Sequence, residues 1–276
     1  MVSGSFFRPI TPSRGKPAEI DISVAHPARV YDYWLDGKTN FAADRKAAEE
    51  VMAVQPGIRA GVRANRAFLG RSVRFLAADA GIRQFLDIGT GIPTDSNTHE
   101  VAQAIAPECR VVYADNDPIV LAHARALLTS SSGSTAYIDA DLRDTDAILE
   151  TAKNTLDFGQ PVAIILLLIM QFIPDSDDPY ALVSRLLSAA APGSYLVLSQ
   201  PASDIDALAG AQAVRRYNET VATSQTHRSR AEILRFFDGL DLLEPGLVPL
   251  NRWRPEGGTP DAGPDVPAYC GIGRKP

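Results

Sequence analysis

Cysteine is scarce in this chain of 276 residues. Cys109 and Cys270 are the only two, and neither has a metal-ligand spacing. A disulfide framework and a thiolate metal centre are therefore both excluded, and no metal is expected. Histidine is nearly as rare, at His26, His99, His123 and His227. Positive charge is not in excess: 27 Lys and Arg stand against 33 Asp and Glu, a formal net charge of −6. The electrostatic footprint of a duplex nucleic acid partner is missing overall. Arg59, Arg63, Arg66, Arg71 and Arg74 cluster at near-helical spacing, which reads as a solvated helix face. No internal repeat or low-complexity tract is visible. The longest apolar run, Val162 to Met170, has nine residues, where a bilayer needs about twenty. It suits a central strand buried on both faces, and no membrane association is expected. Met1 to Lys16 lacks the apolar core of a signal peptide. A reducing cytoplasm fits all of this.

What the chain does have is alternation. Helical and strand patterns follow one another from about residue 84, which predicts one α/β core. Strands are expected at 84–88, 110–114, 135–138, 162–168 and 194–199, with two closing strands near 240–243 and 268–272. Ahead of them, residues 1–22 read as an extended arm, and helices are expected over 28–35, 42–54 and 57–80. The organisation expected is an arm and helical cap over 1–82 and a ligand-binding core over 83–276. Asp117-Pro118 and Asp178-Pro179 have the form of an N-cap followed by proline, the first opening a helix to Leu128. Ser229-Arg230-Ala231-Glu232 has the form of a capping box. The Gly- and Pro-rich stretch from Pro255 to Pro267 reads as a loop.

The informative segment is Phe85-Leu86-Asp87-Ile88-Gly89-Thr90-Gly91, a buried strand running into a glycine turn. A second acidic strand end follows at Tyr113-Ala114-Asp115-Asn116-Asp117-Pro118, and a third at Asp139-Ala140-Asp141-Leu142. In an open parallel sheet, ligands sit beyond the carboxyl ends of the strands. Asp87, Asp115 and Asp141 occupy that position in successive units. Glycines at 89 and 91 let the backbone turn and approach a ligand closely. Asp115 can accept both hydroxyls of a ribose. Asp141 can accept from an adenine amino group, and the Leu142 amide can donate to the ring. A carboxylate beside the glycines repels a pyrophosphate and attracts an ammonium or sulfonium. The dinucleotide fingerprint also fails, because its third glycine would fall at Thr94. The nucleoside indicated is S-adenosylmethionine. Pro93 stands where a third glycine often lies in its binding loops, so this turn differs from their commonest form.

These residues belong to a wider set: His26-Pro27-Ala28-Arg29-Val30-Tyr31-Asp32-Tyr33, Gly37-Lys38-Thr39-Asn40-Phe41, Asn65-Arg66, Asn97-Thr98-His99-Glu100, Phe172-Ile173-Pro174-Asp175, Arg230-Ala231-Glu232 with Phe236-Phe237, Trp253-Arg254-Pro255 and Gly271-Ile272-Gly273-Arg274-Lys275. With this set the chain resembles a bacterial family of S-adenosylmethionine-dependent methyltransferases once catalogued as a domain of unknown function. The resemblance runs from about Ile20 to Lys275. It implies a Rossmann-like class I methyltransferase fold, with a seven-stranded, mostly parallel sheet whose last strand is antiparallel. It implies that Asp87, Gly89, Thr90, Gly91, Asp115, Asn116, Asp141 and Leu142 line the cofactor site, and that Ile169 to Phe172 lie beside the sulfonium. Gln171 stands there, where related enzymes often carry a histidine. The resemblance names no substrate.

Methyl transfer needs a base only for some acceptors. The candidates are His26, Tyr31, Gln171 and His227, with His99 near the glycine loop and His123 structural. A helical cap over the crevice favours a small-molecule substrate. Two other readings stay open: a non-catalytic S-adenosylmethionine-binding regulatory protein, and an NAD(P)-dependent oxidoreductase. The methyl acceptor and the oligomeric state are not written in the sequence.

Overall fold

The apolar run around residue 165 becomes the middle strand of a sheet, and Val162 to Leu166 are wholly shielded from solvent. The computed structural model describes residues 21–127, 134–255 and 264–276, side chains 124–127 excepted. The expected arm over 1–22 lies almost entirely outside those residues. So do Leu128 and residues 256–263 of the expected loop.

In chain order the elements are α1 (Pro27–Trp34), α2 (Ala42–Val54), α3 (Ile58–Ala78), β1 (Gln84–Ile88), α4 (Thr98–Ile105), β2 (Arg110–Asp115), α5 (Pro118–Leu127), β3 (Thr135–Asp139), α6 (Thr145–Ala152), β4 (Ala163–Leu167), α7 (Pro179–Ala189), β5 (Tyr195–Pro201), α8 (Ala207–Thr220), α9 (Arg230–Leu234), β6 (Asp241–Leu242), β7 (Val248–Pro249) and β8 (Ala268–Arg274). The sheet runs β3-β2-β1-β4-β5-β8-β6. β1 to β5 are parallel and β8 is antiparallel to β5. The seven expected strands are present. An eighth, the two-residue β7, pairs with β8 and is too short to leave a periodic signal.

The two-residue period of each strand divides the core into two layers. Leu86, Ile164, Leu166, Leu196 and Leu198 face α6 and α7 through Ile148, Leu149, Val183 and Leu186. Phe85, Ala163, Ile165 and Val197 face α3 and α4 through Phe68, Val73, Leu76 and Val101. A third cluster joins α1, α2 and α8 around Val30, Trp34, Val51 and Tyr217. The cap-like layer thus draws on residues beyond position 82. The punctuation read from the sequence is realised locally. Asp117 and Asp178 accept from the amides of Ile119 and Ala181 at their helix N-termini. Ser229 and Glu232 form the reciprocal box.

The arginines of α3 form a solvated face only in part: Arg63 and Arg74 are exposed, while Arg59, Arg66 and Arg71 are half-buried. Arg59 and Arg63 pair with Asp36, and Arg66 donates to the carbonyls of Asp95 and Ser96. Arg71 donates to the carbonyls of Leu250 and Trp253. Their spacing reported a shared helix face but not what lay against it.

Candidate functional site

Parallel register places the carboxyl ends of β1 and β2 side by side, with Ile88 opposite Ala114, so Asp87 and Asp115 approach one cleft from adjacent strands. Asp87 is 7% exposed and accepts a 2.6 Å hydrogen bond from the hydroxyl of Thr98. Burial pushes its pKa up to about 6, against the Thr98 bond and the nearby Arg66 charge. Asp115 adds a further like charge. Asp115 accepts from the Gly91 amide at 2.9 Å and from the Asp117 amide at 2.9 Å. Burial raises its pKa despite those two donors. One carboxylate thereby holds the glycine turn to the end of β2, and both carboxylates are short of positive charge.

The turn itself requires its glycines. Gly89 has φ +73°, and a Cβ there would lie 2.5 Å from Cγ1 of Ile169. Gly91 has φ +66°, but a Cβ there would meet open space on the cleft side. Gly89→Ala combines a left-handed backbone with a collision. A loss of about 2–5 kcal/mol in urea unfolding is expected; an unshifted midpoint would show that Ile169 yields freely. Thr90 hydrogen-bonds the Tyr137 hydroxyl of β3 at 3.0 Å.

At the end of β3, Asp141 is already engaged. Asn116 donates to it at 2.9 Å, and Arg143 reaches it through its backbone amide (2.8 Å) and its guanidinium (3.1 Å). Arg143 also binds Asp177 and the carbonyl of Phe172. Leu142 is buried beneath this rim and lines the same cleft. All eight residues expected around a cofactor, Asp87, Gly89, Thr90, Gly91, Asp115, Asn116, Asp141 and Leu142, therefore converge on one cavity. Gln171 joins them from the turn after β4.

The four catalytic candidates line this cavity too, in different circumstances. Nδ1 of His26 lies 2.7 Å from Asp117, which also accepts from the Ile119 amide. Burial alone would raise Asp117, but the His26 contact, the Ile119 amide and the Arg29 charge together hold the carboxyl below its usual range. His26 thus sits at the β2 end of the cavity, engaged with Asp117. Tyr31 donates to the Val62 carbonyl at 3.2 Å and accepts from Asn65 at 3.1 Å. Burial raises its pKa, so its proton is committed. Gln171 donates through Nε2 to the Leu168 carbonyl at 2.7 Å, and its Oε1 is buried without a partner. His227 is kept neutral by burial, which lowers its pKa to about 4. His99 is bound to the Tyr113 hydroxyl at 2.8 Å, and His123 is exposed on α5.

Several contributors carried no role in the sequence reading. Thr98 binds Asp87 from within Asn97-Thr98-His99-Glu100, whose Asn97 and Glu100 form a capping box. Ser199 donates to Asn65 at 2.7 Å and accepts from the Leu168 amide at 3.2 Å. Leu168 itself has φ +50°, a left-handed conformation at the end of β4. Arg228 is 1% exposed and donates to the carbonyls of Met170 and Ile173 and to Asp175. Conspicuous motif residues pointed toward Thr98 and Asn65, whereas nothing pointed to Ser199 or Arg228.

The donor set suits a cationic nucleoside. The cavity's carboxylates gather at three strand ends, and no lysine lines it among the described residues. No group of His, Cys, Asp and Glu could hold a metal ion among those residues, and no helix there is long and apolar enough to cross a membrane. A DUF574 family protein from Streptomyces avermitilis is 42% identical, covers 94% of this chain and 100% of its own, and superposes with a TM-score of 0.90. A protein from Thermobifida fusca, provisionally assigned as a methyltransferase, is 40% identical over 95% of this chain and 99% of its own, with a TM-score of 0.87. A carboxy-S-adenosyl-L-methionine synthase from Trichlorobacter lovleyi is 32% identical over 95 residues, 34% of this chain. Those residues are 35% of that curated relative, so the chain spans about a third of its length. The sequence profile of the family described as S-adenosyl methyltransferase matches residues 13–276. The chain belongs to the S-adenosyl methyltransferase family.

Proposed function

We propose that this protein transfers a methyl group from S-adenosylmethionine to a small-molecule acceptor. The observation that carries the reading is the buried Asp87 carboxylate beside a glycine turn that Asp115 pins in place. Such a site gains from a cation and loses from a phosphate. When bound, S-adenosylmethionine supplies a methyl group already activated by its sulfonium. The chain's own residues then do four things. Asp87 receives the positive end of the ligand, and Asp115 accepts from the ribose. Asp141, Asn116 and Leu142 border the adenine. Gly89, Thr90, Gly91 and Gln171 shape the space between.

Residues 1–82 act as arm and cap and residues 83–276 as the cofactor-binding core. The cap excludes water and holds the acceptor in line, a contribution of several kcal/mol to the barrier. The two cysteines are free and buried, which suits a reducing cytoplasm. Family membership and the partial likeness to a carboxy-S-adenosyl-L-methionine synthase support the choice of cofactor.

Calorimetry with S-adenosylhomocysteine and NADH tests this. The first is expected to bind and the second not. Asp115→Ala is expected to weaken the first about 10- to 100-fold, as loss of charge-assisted hydrogen bonds does. Preferential binding of NADH, or an unchanged affinity in the variant, would remove the basis of the proposal.

A further inference from the structure

The cavity holds two opposite charges that lie near each other without forming an ion pair. Asp87 accepts from the Thr98 hydroxyl at 2.6 Å and has no cationic partner among the described residues. Arg66, half-buried on α3, lines the same cavity. Its Nη2 donates at 3.2 Å to the carbonyls of Asp95 and Ser96, and no carboxylate pairs with it among the described residues. Its Nε and Nη1 make no hydrogen bond among them either. Arg143, the other arginine lining the cavity, is matched by Asp141 and Asp177.

The chain after the glycine turn holds Arg66 and Asp87 to one place. Ser96, which receives Arg66, stands two positions before Thr98, which serves Asp87 and opens α4. The Arg66 charge reaches Asp87, where it opposes the upward push of burial on that carboxyl. A guanidinium facing only neutral carbonyls keeps its charge for an anion, and its planar edge fits a carboxylate through two parallel bonds. Asp87 likewise keeps its charge for a cation. A ligand that satisfies both carries an ammonium and a carboxylate close together. An α-amino acid bears the two on one carbon, and the methionyl end of S-adenosylmethionine is an α-amino acid.

We propose that Arg66 binds the carboxylate of the cofactor's amino-acid tail while Asp87 takes its ammonium, so that the cavity selects the zwitterion and not a cation alone. This deepens the reading above and rests on it. It accounts for how a cleft with carboxylates at three strand ends admits a ligand that has a carboxylate of its own: the attraction of Arg66 offsets the repulsion. A nucleoside that lacks the tail, or keeps only its ammonium, forfeits the match. A carboxylate on the methyl acceptor would meet the same chemistry. The closeness of Arg66 to Asp87 favours the cofactor, and the test separates the two sources.

Calorimetry with three ligands provides it. S-adenosylhomocysteine has the whole tail, its decarboxylated analogue keeps the ammonium, and 5′-methylthioadenosine has neither group. Absence of S-adenosylhomocysteine binding to the wild type sinks the cofactor reading and this assignment with it; the other outcomes bear on this assignment alone. The wild type is expected to bind S-adenosylhomocysteine about 10- to 100-fold more tightly than the decarboxylated analogue. Arg66→Gln is expected to weaken S-adenosylhomocysteine about 10- to 100-fold and to leave the other two ligands nearly unchanged. Arg66→Lys is expected to recover part of the loss, because it restores the charge without the planar edge. Arg63→Gln, on the exposed side of the same helix, is expected to alter none of the three. Equal affinity of the wild type for S-adenosylhomocysteine and its decarboxylated analogue would leave Arg66 to a carboxylate on the acceptor and overturn the assignment. Equal weakening of all three ligands by Arg66→Gln would reduce the residue to a prop for Asp95 and Ser96, and overturn it too. Should that variant not fold, the ligand comparison on the wild type decides alone.

Discussion

Asp87→Asn is expected to stabilise the ligand-free protein while stripping it of affinity for the adenosyl ligand. Asp87 is nearly enclosed, and its pKa rises from an ordinary 3.8 to about 6, chiefly through burial. A carboxyl raised in this way favours folding fully below pH 3.8, and the benefit is lost as pH climbs through about 6. Above about pH 7 the native state therefore carries a buried charge that the unfolded chain carries in water. At 1.36 kcal/mol per pKa unit the difference is about 3 kcal/mol. Asparagine has nearly the same shape and keeps an oxygen for the Thr98 hydroxyl, so the variant loses the charge without losing the bond. Urea unfolding at about pH 8 is expected to show the variant about 3 kcal/mol more stable, with the gap closing below about pH 4. Affinity for S-adenosylhomocysteine is expected to fall about 10- to 100-fold, because a charged acceptor has become a neutral one. In the wild type, binding at about pH 5.5 is expected to release protons, since a cation in the cleft pulls the Asp87 pKa down. Calorimetry in two buffers of different ionisation heat reads that directly. Equal stability of the two proteins at both pH values would mean that Asp87 is solvated after all.

Arg228→Met is expected to cost about 3–5 kcal/mol, the second large effect. Methionine fills much of the same volume and brings no charge. What disappears is the fork that serves Met170, Ile173 and Asp175 together. Asp175 is 69% exposed and can turn to water, so its ion pair contributes little. The penalty lies in the Ile173 carbonyl left without a donor and the Met170 carbonyl left with only the 3.3 Å bond from the Ile173 amide, at up to about 1–3 kcal/mol each. Those carbonyls belong to the turn that carries Gln171, so the variant is also expected to bind S-adenosylhomocysteine more weakly. Arg228→Lys is expected to recover only part of the loss, because an ammonium is a point charge and not a planar fork. Denaturant unfolding of the three proteins decides it; a loss under about 1 kcal/mol for methionine would show that water enters and replaces the arginine.

These two residues differ in how far the sequence exposes them. Asp87 is legible because its neighbours are local: an apolar strand, a carboxylate at its tip and glycines beside it. The strands, the caps at Asp178 and Ser229, and the three strand-end carboxylates were readable for the same reason, since each depends on residues within one turn or one strand. Arg228 is not legible. Its partners lie more than fifty positions upstream, and nothing nearby distinguishes it from a surface arginine. The same holds for Ser199 with Asn65 and for His26 with Asp117, whose pairing Asp117-Pro118 had hidden behind a capping signal. Leu168 runs against expectation outright, because leucine rarely takes a left-handed backbone, and only the surrounding contacts impose it. β7 is simply too brief to show a period. Local chemistry marked the strand-end side of the cavity, while the opposite side is assembled by distant pairings.

One of those pairings reaches further than its single bonds suggest. The Leu168 amide meets Ser199, Ser199 meets Asn65, Asn65 meets Tyr31, and Tyr31 meets the Val62 carbonyl, so a first-helix side chain and the backbone beside the methyl donor are links in one tether. No link has slack. A shift of α1 toward an arriving guest either snaps a shielded bond or tugs the strained leucine with it. If occupancy at one end moves the other through this tether, thermodynamics requires the influence to be equal in both directions.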